Sequence, residues 1–113
     1  MRRIHPVHLN ETGDEVSNLH KGLLFLISHE SGISDNDRRS LAQQLAPNLR
    51  EQAFGNATLN IVKIFQEQLK SRSNLPFSDE LKKEIKFMMS VNGDVDQPTA
   101  DALNGLLKLE GAL

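Results

Sequence analysis

Apolar residues recur every three or four positions along most of this chain, which is the spacing of one face of an α-helix. The first such stripe consists of Val16, Leu19, Leu23 and Leu26. Thr12 and Glu15 precede it with the spacing of a capping box, so the pattern predicts a helix that begins at Thr12. Gly32 is the expected stop of this helix. Residues 1–11 are polar and contain Pro6, and we expect them to lie across the domain as an irregular lead-in.

Four further helices are predicted by the same periodicity and by capping residues. Their expected positions are Ser34 to about Ala46, about Ala57 to Lys70, a short helix after Ser78, and about 97–109, opened by Asp96 and Pro98. Pro47 is expected to begin a fresh turn that carries Leu49 and Ala53. The expected inward stripe of the short helix is Leu81, Ile85, Met88 and Met89. No segment alternates with period two, so the fold class is all-α, with room for a short bridge around Gly93 to Val95.

Length and composition indicate one folded unit, residues 1–113, with an ordinary globular balance of residues. The absence of cysteine excludes disulfides and thiol chemistry. Thirteen Lys and Arg against 15 Asp and Glu argue against binding driven by charge to nucleic acid or to an anionic membrane. The longest apolar run, Leu23 to Ile27, is far too short for membrane insertion. We expect no signal peptide at the start, which is compatible with a cell-envelope or a cytoplasmic location.

Two segments, 54–62 and 95–103, align without gaps and indicate an internal repeat. Each places an apolar residue four positions before a Thr and two apolar residues three and four positions after it. The pattern is that of a turn that leads into a helix, with Thr58 and Thr99 on the inward side of the first turn. We expect both hydroxyls to be buried and bonded to nearby backbone.

The sequence resembles the peptidoglycan-binding-like domain, a small three-helix module, at three blocks that follow one another in the family's order. The matching positions are Gly13, Val16, Leu19 and Leu23, then Phe54, Gly55, Thr58, Ile61, Val62, Phe65 and Gln66, then Gly93, Val95, Asp96, Thr99, Ala102 and Leu103. His20 stands where the family usually has Gln, and Ile61 replaces the common Ala. The resemblance implies a compact orthogonal three-helix core, to which residues 28–53 and 67–91 add about two short helices.

The resemblance also implies a non-catalytic recognition module that binds peptidoglycan glycan or stem peptide on behalf of a larger protein. The ligand-facing candidates beside the repeat are Asn56, Gln66, Asn92 and Asp94. Gln66 borders an apolar stripe, so its amide is suited either to a loop backbone or to a ligand. The alternative function is a structural or protein-interaction domain, which the off-stripe residues Phe77 and Phe87 favour if they form an exposed patch.

Other chemistries have weaker signals. His5 and His8 form a close pair, with His20 or His29 as a third imidazole if the fold allowed it, but the spacing is not that of a structural zinc site, so we expect neither metal nor cofactor. The carboxylates have ordinary roles as caps and surface charges, and no nucleophile or phosphate-loop motif is present, so we expect no catalysis. Arg38-Arg39 and Lys82-Lys83 have acidic neighbours and are expected on solvated helix faces.

Overall fold

A computed structural model describes residues 1–30, 33–72 and 74–113 of the chain. These residues form five helices: α1 Asp14–His29, α2 Asp35–Glu51, α3 Asn56–Ser71, α4 Asp79–Phe87 and α5 Gln97–Leu109. The predicted all-α class is confirmed. The expected helix stop at Gly32 lies outside the described residues. Every helix within the described ranges is too short or too polar to traverse a lipid bilayer.

The core lies where α1 packs against α3 and α5. Its fully buried side chains include Leu19 and Leu23 of α1, Ile61 and Phe65 of α3, and Leu103 of α5. The α2 helix packs on α1 and α3, and α4 packs on α3 and α5. The two added helices therefore extend one continuous apolar cluster.

Residues 1–12 form a non-helical segment, here called the strap, that makes a turn at Leu9 and Asn10 and runs past both copies of the repeat. Val7 exchanges two backbone hydrogen bonds with Val95, at N···O distances of 3.0 and 3.2 Å. Farther along, the Asn10 N–H donates to the Phe54 carbonyl and the Phe54 N–H donates to the Glu11 carbonyl, both at 2.9 Å. Phe54 and Val95 are aligned positions of the repeat, so the strap pairs with the same point of each copy. The predicted bridge near Val95 is confirmed.

The start of the strap is held by two asparagine side chains. Asn104 of α5 accepts from the Ile4 N–H at 2.7 Å and donates to the Ile4 carbonyl at 2.8 Å, so its amide imitates a paired strand residue. Asn18 of α1 accepts from the Arg2 N–H and donates to the Arg2 and Arg3 carbonyls. Buried amides of this kind satisfy strap backbone groups that water no longer reaches. The expected lead-in is thus a fixed part of the fold.

The predicted start of α1 at Thr12 is wrong. The helix begins at Asp14 behind Gly13, and no side chain caps it. Thr12 lies instead in a bridge with Ala53, and the Gly13 N–H donates to the Gln52 carbonyl at 3.0 Å. The chain then turns into the helix with a Gly13 φ of 108°, a region that favours glycine. Pairing of the end of the strap with residues 52–53 therefore replaces the capping box.

The predicted break of the second helix after Ala46 is also wrong. α2 continues from Asp35 to Glu51 with Pro47 inside it. Proline removes one helical N–H donor, which leaves the carbonyl of Gln43, four residues earlier, without that partner. Both Gln43 and Pro47 are exposed, so water can satisfy the carbonyl and the helix continues.

Two apolar side chains near α4, Met88 and Phe77, differ from expectation, and a third, Phe87, agrees with it. Met88, predicted inward, is 66% exposed because α4 ends at Phe87 and the chain beyond the helix turns Met89 inward instead. Phe77, predicted exposed, is half-buried against α5 beside Gly105. Phe87 is 74% exposed, as predicted. The exposed apolar pair is therefore Phe87 and Met88.

Candidate functional site

Gln66 of α3 organises the turn that precedes α5. Its Oε1 accepts from the N–H groups of Asn92 and Gly93 at 3.0 and 2.8 Å. Its Nε2 donates to the Asp94 carbonyl and to the Thr99 hydroxyl, each at 2.9 Å. One buried side chain thereby fixes three consecutive turn residues and the first turn of the following helix.

His20 of α1 has the equivalent position for the first copy of the repeat. Its Nε2 lies 2.9 Å from the Thr58 hydroxyl oxygen, and Thr58 in turn donates to Asn48 Oδ1 at 2.9 Å. Asn48 Oδ1 also accepts from the Thr58 N–H at 3.0 Å. Asn48 Oδ1 thereby accepts from a first-turn N–H of α3, just as the N-cap side chain of Asp96 accepts from the Thr99 N–H of α5. The N-cap of α3 is Gly55, which has no side chain to do this.

The two threonines are therefore buried as predicted, but their partners were predicted wrongly. Each hydroxyl bonds to a side chain of the preceding core helix, Thr58 to His20 and Thr99 to Gln66, rather than to nearby backbone. The sequence repeat thus corresponds to a repeated polar contact between helices. A buried hydroxyl needs such a partner because leaving it unpaired costs free energy.

His20 is neutral in this environment. It is 1% exposed, and burial lowers its pKa from 6.5 to about 4. Because the Thr58 proton is given to Asn48, the hydroxyl oxygen accepts, and the His20 proton is assigned to Nε2. The other ring nitrogen, Nδ1, is buried and has no partner among the described residues. Protonation there would place an unpaired charge in the core.

The turn held by Gln66 presents two side chains at the surface, those of Asn92 and Asp94. Gly93 has a φ of 81°, and a Cβ there would stand 2.5 Å from the Leu59 carbonyl oxygen, so the turn is pressed onto the first turns of α3. The Asn92 side chain accepts from the Asp94 N–H at 3.0 Å. The Asp94 carboxylate pairs with His8 Nδ1 of the strap at 2.7 Å. This bond raises the pKa of His8 above its ordinary value.

Three of the four predicted ligand residues belong to one surface region. Asn92 is exposed and Asp94 is half-buried in the turn, and Asn56 is exposed in α3, one helical turn before Leu59, against which Gly93 lies. We call the region formed by His8, Asn56, Asn92 and Asp94 the polar edge. His8 was not among the predicted ligand residues, because its partner Asp94 is 86 positions away in the chain.

Gln66, the fourth predicted residue, lies beneath the polar edge and not on it. It is 0% exposed, and both ends of its amide are occupied by the turn and by Thr99. A ligand at the surface therefore meets the groups that Gln66 positions. The sequence left two roles open for the Gln66 amide, bonding to a loop backbone or to a ligand. In the structure it bonds to the loop backbone.

A shallow hollow of about 540 Å³ lies beside the strap, between its residues 6–12 and the first turn of α1. Glu11 connects the hollow to the polar edge, because it lines the hollow and its Oε2 accepts from the His8 N–H at 2.9 Å. Glu15, also on its lining, has a buried carboxylate oxygen, Oε2, without a partner in the described part of the chain. Because this oxygen is buried, it is not presented to a ligand in the hollow.

A larger groove of about 680 Å³ lies between α4 and α5. Glu84 and Asp101 line it together, with Arg3 and Lys108 also on the lining. Burial, and next the hydrogen bond and negative charge of Asp101, raise the pKa of Glu84 from 4.5 to about 7. Asp101 accepts from the Gln97 side chain at 2.9 Å, so the shared proton is assigned to Glu84. Sequence gave no signal of this pair, since Glu84 and Asp101 are on different helices.

The histidines are dispersed in the structure. His5 is exposed on the strap, His8 is paired with Asp94, His20 is buried, and His29 is exposed with its Nδ1 2.8 Å from the Phe25 carbonyl. Within residues 1–30, 33–72 and 74–113, no three His, Asp or Glu side chains are grouped as a metal ion would require.

Comparisons of this chain with protein-family models, with curated proteins and with solved structures found no match.

Proposed function

We propose that this protein is a non-catalytic recognition module that binds peptidoglycan, through glycan or stem peptide, at the polar edge and the adjoining hollow. The observation that carries the proposal is the rigid mounting of the edge. Asn92 and Asp94 sit on a turn whose backbone is tied to Gln66 and whose next residue, Val95, pairs with the strap. A preorganised polar surface loses less conformational entropy on binding.

The chemistry of the region suits a ligand rich in hydroxyl and amide groups. Asn56 and Asn92 carry amides that both donate and accept, and they are exposed at the surface. Trp and Tyr are absent from the chain, so stacking of sugar rings on these residues is not available. Recognition would therefore depend on hydrogen bonds, and we expect one protein molecule to bind one position on the peptidoglycan weakly.

Cosedimentation with purified peptidoglycan sacculi at low salt tests this function. The intact protein is expected to pellet with the sacculi, and Asn56→Ala is expected to weaken binding about 3- to 10-fold, the effect of losing one hydrogen bond. Asn56 is suited to this test because it is exposed and caps no helix, so its truncation should leave folding intact.

Asn36→Ala is the matched control. Asn36 is an exposed asparagine in the first turn of α2, outside the polar edge. This variant should bind sacculi like the unmodified protein. Protein that stays wholly in the supernatant, or equal losses for Asn36→Ala and Asn56→Ala, would contradict peptidoglycan recognition at this surface.

A second candidate function is docking of a partner domain, and the exposed pair Phe87 and Met88 favours it. These side chains are 74% and 66% exposed at the end of α4, where burial against a partner would gain apolar contact. If this function is correct, Phe87→Ala should abolish capture of a neighbouring domain of the parent protein while leaving sacculus binding unchanged. Capture that survives Phe87→Ala would count against it.

A further inference from the structure

A second groove, of about 390 Å³, separates the C-terminal end of α3 from α4 and is lined by cations. Its floor consists of the buried residues Leu69, Leu75 and Ile85. Lys70 and Arg72 line it from the α3 side, and Lys82 and Lys86 line it from α4. We call it the basic groove. Four of the chain's 13 Lys and Arg residues thus line one cavity of a protein whose net charge is −2, although the Lys86 ammonium lies 5.3 Å from the centre of the Phe87 ring.

Few carboxylates oppose these four cations. Among the described residues, the ion pair recorded for them is Arg72 with Glu30, at an N···O distance of 3.7 Å. Among the described residues that line the groove, none is Asp or Glu. The acidic residues of α4 that line a cavity, Glu80 and Glu84, line the groove toward α5 instead. Lys82 and Lys86 of α4 therefore lie toward α3 and Glu80 and Glu84 lie toward α5, while Asp79 and Lys83 are on the lining of neither groove.

Helix dipoles account for part of this arrangement only. Lys70 lies in the last turn of α3 and Lys86 in the last turn of α4, where a cation is favourable. Lys82 is the fourth residue of α4, near the positive end of the helix, where a cation gains nothing from the dipole. Lys82 and Lys86 also share one face at a spacing that makes like charges repel. An anion in the groove would relieve this repulsion.

We propose that the basic groove binds an anionic ligand that carries two or more phosphate groups. Four cations, two on the α3 side and two on α4, match a ligand with several negative charges better than an ion with a single charge. Lysine ammonium groups bind phosphate as point charges, and the volume is within the range of small-ligand sites. This site is separate from the polar edge, and its existence does not depend on peptidoglycan recognition.

Isothermal titration calorimetry at low salt, with sodium tripolyphosphate and with orthophosphate as probes, tests the proposal. Tripolyphosphate is expected to bind at least about tenfold more tightly than orthophosphate, and to weaken as salt is added. The double variant Lys82→Glu, Lys86→Glu should lose tripolyphosphate binding by about tenfold or more. Both lysines are exposed, and the neutral pair Lys82→Gln, Lys86→Gln, expected to lose less, provides a milder change.

Lys63→Glu is the matched control, since Lys63 is an exposed lysine of α3 that does not line the basic groove. It should retain tripolyphosphate affinity within about twofold. Equal losses in the control and the double variant would show nonspecific attraction and overturn the proposal. Equal affinities for the two phosphates would also overturn it. A third result would also overturn the proposal: the protein binds vesicles of anionic lipid, this binding requires Phe87, and tripolyphosphate does not bind. That result would assign the lysines to a membrane surface.

Discussion

Gln66 and His20 occupy the same position in two copies of one unit, and their surroundings explain why the residues differ. Gln66 serves the N–H groups of Asn92 and Gly93. The residue aligned with Gly93 in the first copy is Gln52, whose N–H is already bonded to the Leu49 carbonyl at the end of α2. In the first copy, His20 therefore has one polar group to bond, the Thr58 hydroxyl, and its single donor nitrogen is sufficient for that.

Replacement of His20 by Gln should reduce the acid sensitivity of the fold. The folded state holds the pKa of His20 at about 4, below the 6.5 of an unfolded chain, so acid favours the unfolded state, which binds the proton first. Stability is accordingly lost as pH falls from about 6.5 toward 4. In His20→Gln an amide can still donate to Thr58, and we expect stability at pH 7 to stay within about 1 kcal/mol.

Urea denaturation at pH 4.5, 5.5 and 7 measures this difference. The free energy of unfolding of His20→Gln should vary less over that range than the free energy of the unmodified protein. His5→Gln is the control, since His5 is exposed on the strap, and its pH profile should follow the unmodified protein. An unchanged profile for His20→Gln would show that the buried imidazole is not the acid-sensitive group.

Glu84→Gln should have the opposite pH signature. Because the folded-state pKa of Glu84 is about 7 against 4.5 unfolded, the folded protein retains a proton that the unfolded chain has released. The contribution of Glu84 to stability therefore falls as pH rises from about 4.5 to 7. Thermal unfolding at pH 5.5 and pH 8 should show Glu84→Gln gaining stability relative to the unmodified protein at pH 8. Glu80→Gln is the control, because Glu80 is an exposed acid of the same groove, and it should gain less stability at pH 8. A loss of stability for Glu84→Gln at pH 8 would be inconsistent with the shared proton.

At the scale of elements, helices marked by an apolar stripe or a capping residue could be predicted from the sequence. Contacts between segments distant in the chain could not. The bounds of α3 and α5 follow from an uninterrupted apolar stripe and, for α5, from the Asp96 cap and Pro98. The start of α1 was mispredicted because Thr12 pairs with Ala53, 41 positions later, and no local pattern reports that contact. α2 passes through Pro47 because its exposed side tolerates the lost donor.

The candidate site has the same division. The turn at Asn92 and Gly93 and the inward threonines were visible in the repeat, since turn residues and helix periodicity are local. The partners were not visible, because Gln66 contacts Thr99 across 33 positions and His8 contacts Asp94 across 86. The ligand roles of Asn56, Asn92 and Asp94 stay predictions from the sequence, and no local pattern indicates that His8 pairs with Asp94.

The strap should contribute measurably to stability through Asn104. In Asn104→Ala the buried Ile4 N–H loses its acceptor and the Ile4 carbonyl loses its donor, so we expect a loss of about 2–3 kcal/mol in the free energy of unfolding. Urea denaturation compares it with Asn60→Ala, at an exposed position of α3, which should change stability by less than about 0.5 kcal/mol. Equal stabilities for the two variants would indicate that the strap is held without Asn104.

At the scale of the whole molecule, the strap connects elements that are distant in sequence. It pairs with the turn before α3 through Phe54 and with the turn before α5 through Val95, and its first residues are bonded to α1 and α5. The polar edge and the hollow lie along it, so strap, repeat and candidate binding surface form one structural unit. Opening the strap would therefore disorder the proposed ligand surface together with the fold.

Charge is distributed unevenly over the same molecule. Four Lys and Arg side chains line the basic groove on one side of α4, whereas the groove on the other side has a mixed lining of three acidic side chains with Arg3 and Lys108. The composition argues against charge-driven binding to nucleic acid or to an anionic membrane, and this stays a prediction; composition does not report how charge is divided between separate surfaces. The three surfaces, the polar edge and the two grooves, can be altered separately by the variants described above.

Native-state amide hydrogen exchange, followed residue by residue by NMR, tests the central claim that the strap pairs with both copies of the repeat as part of the cooperative fold. The amides of Val7, Asn10, Phe54 and Val95 all donate in this pairing. We predict that these four amides exchange with opening free energies within about 1 kcal/mol of the slowest core amides, as expected when they are released only by global unfolding. Exchange of the Val7 and Asn10 amides at rates near those of an unfolded chain, with the helices still protected, would contradict the account.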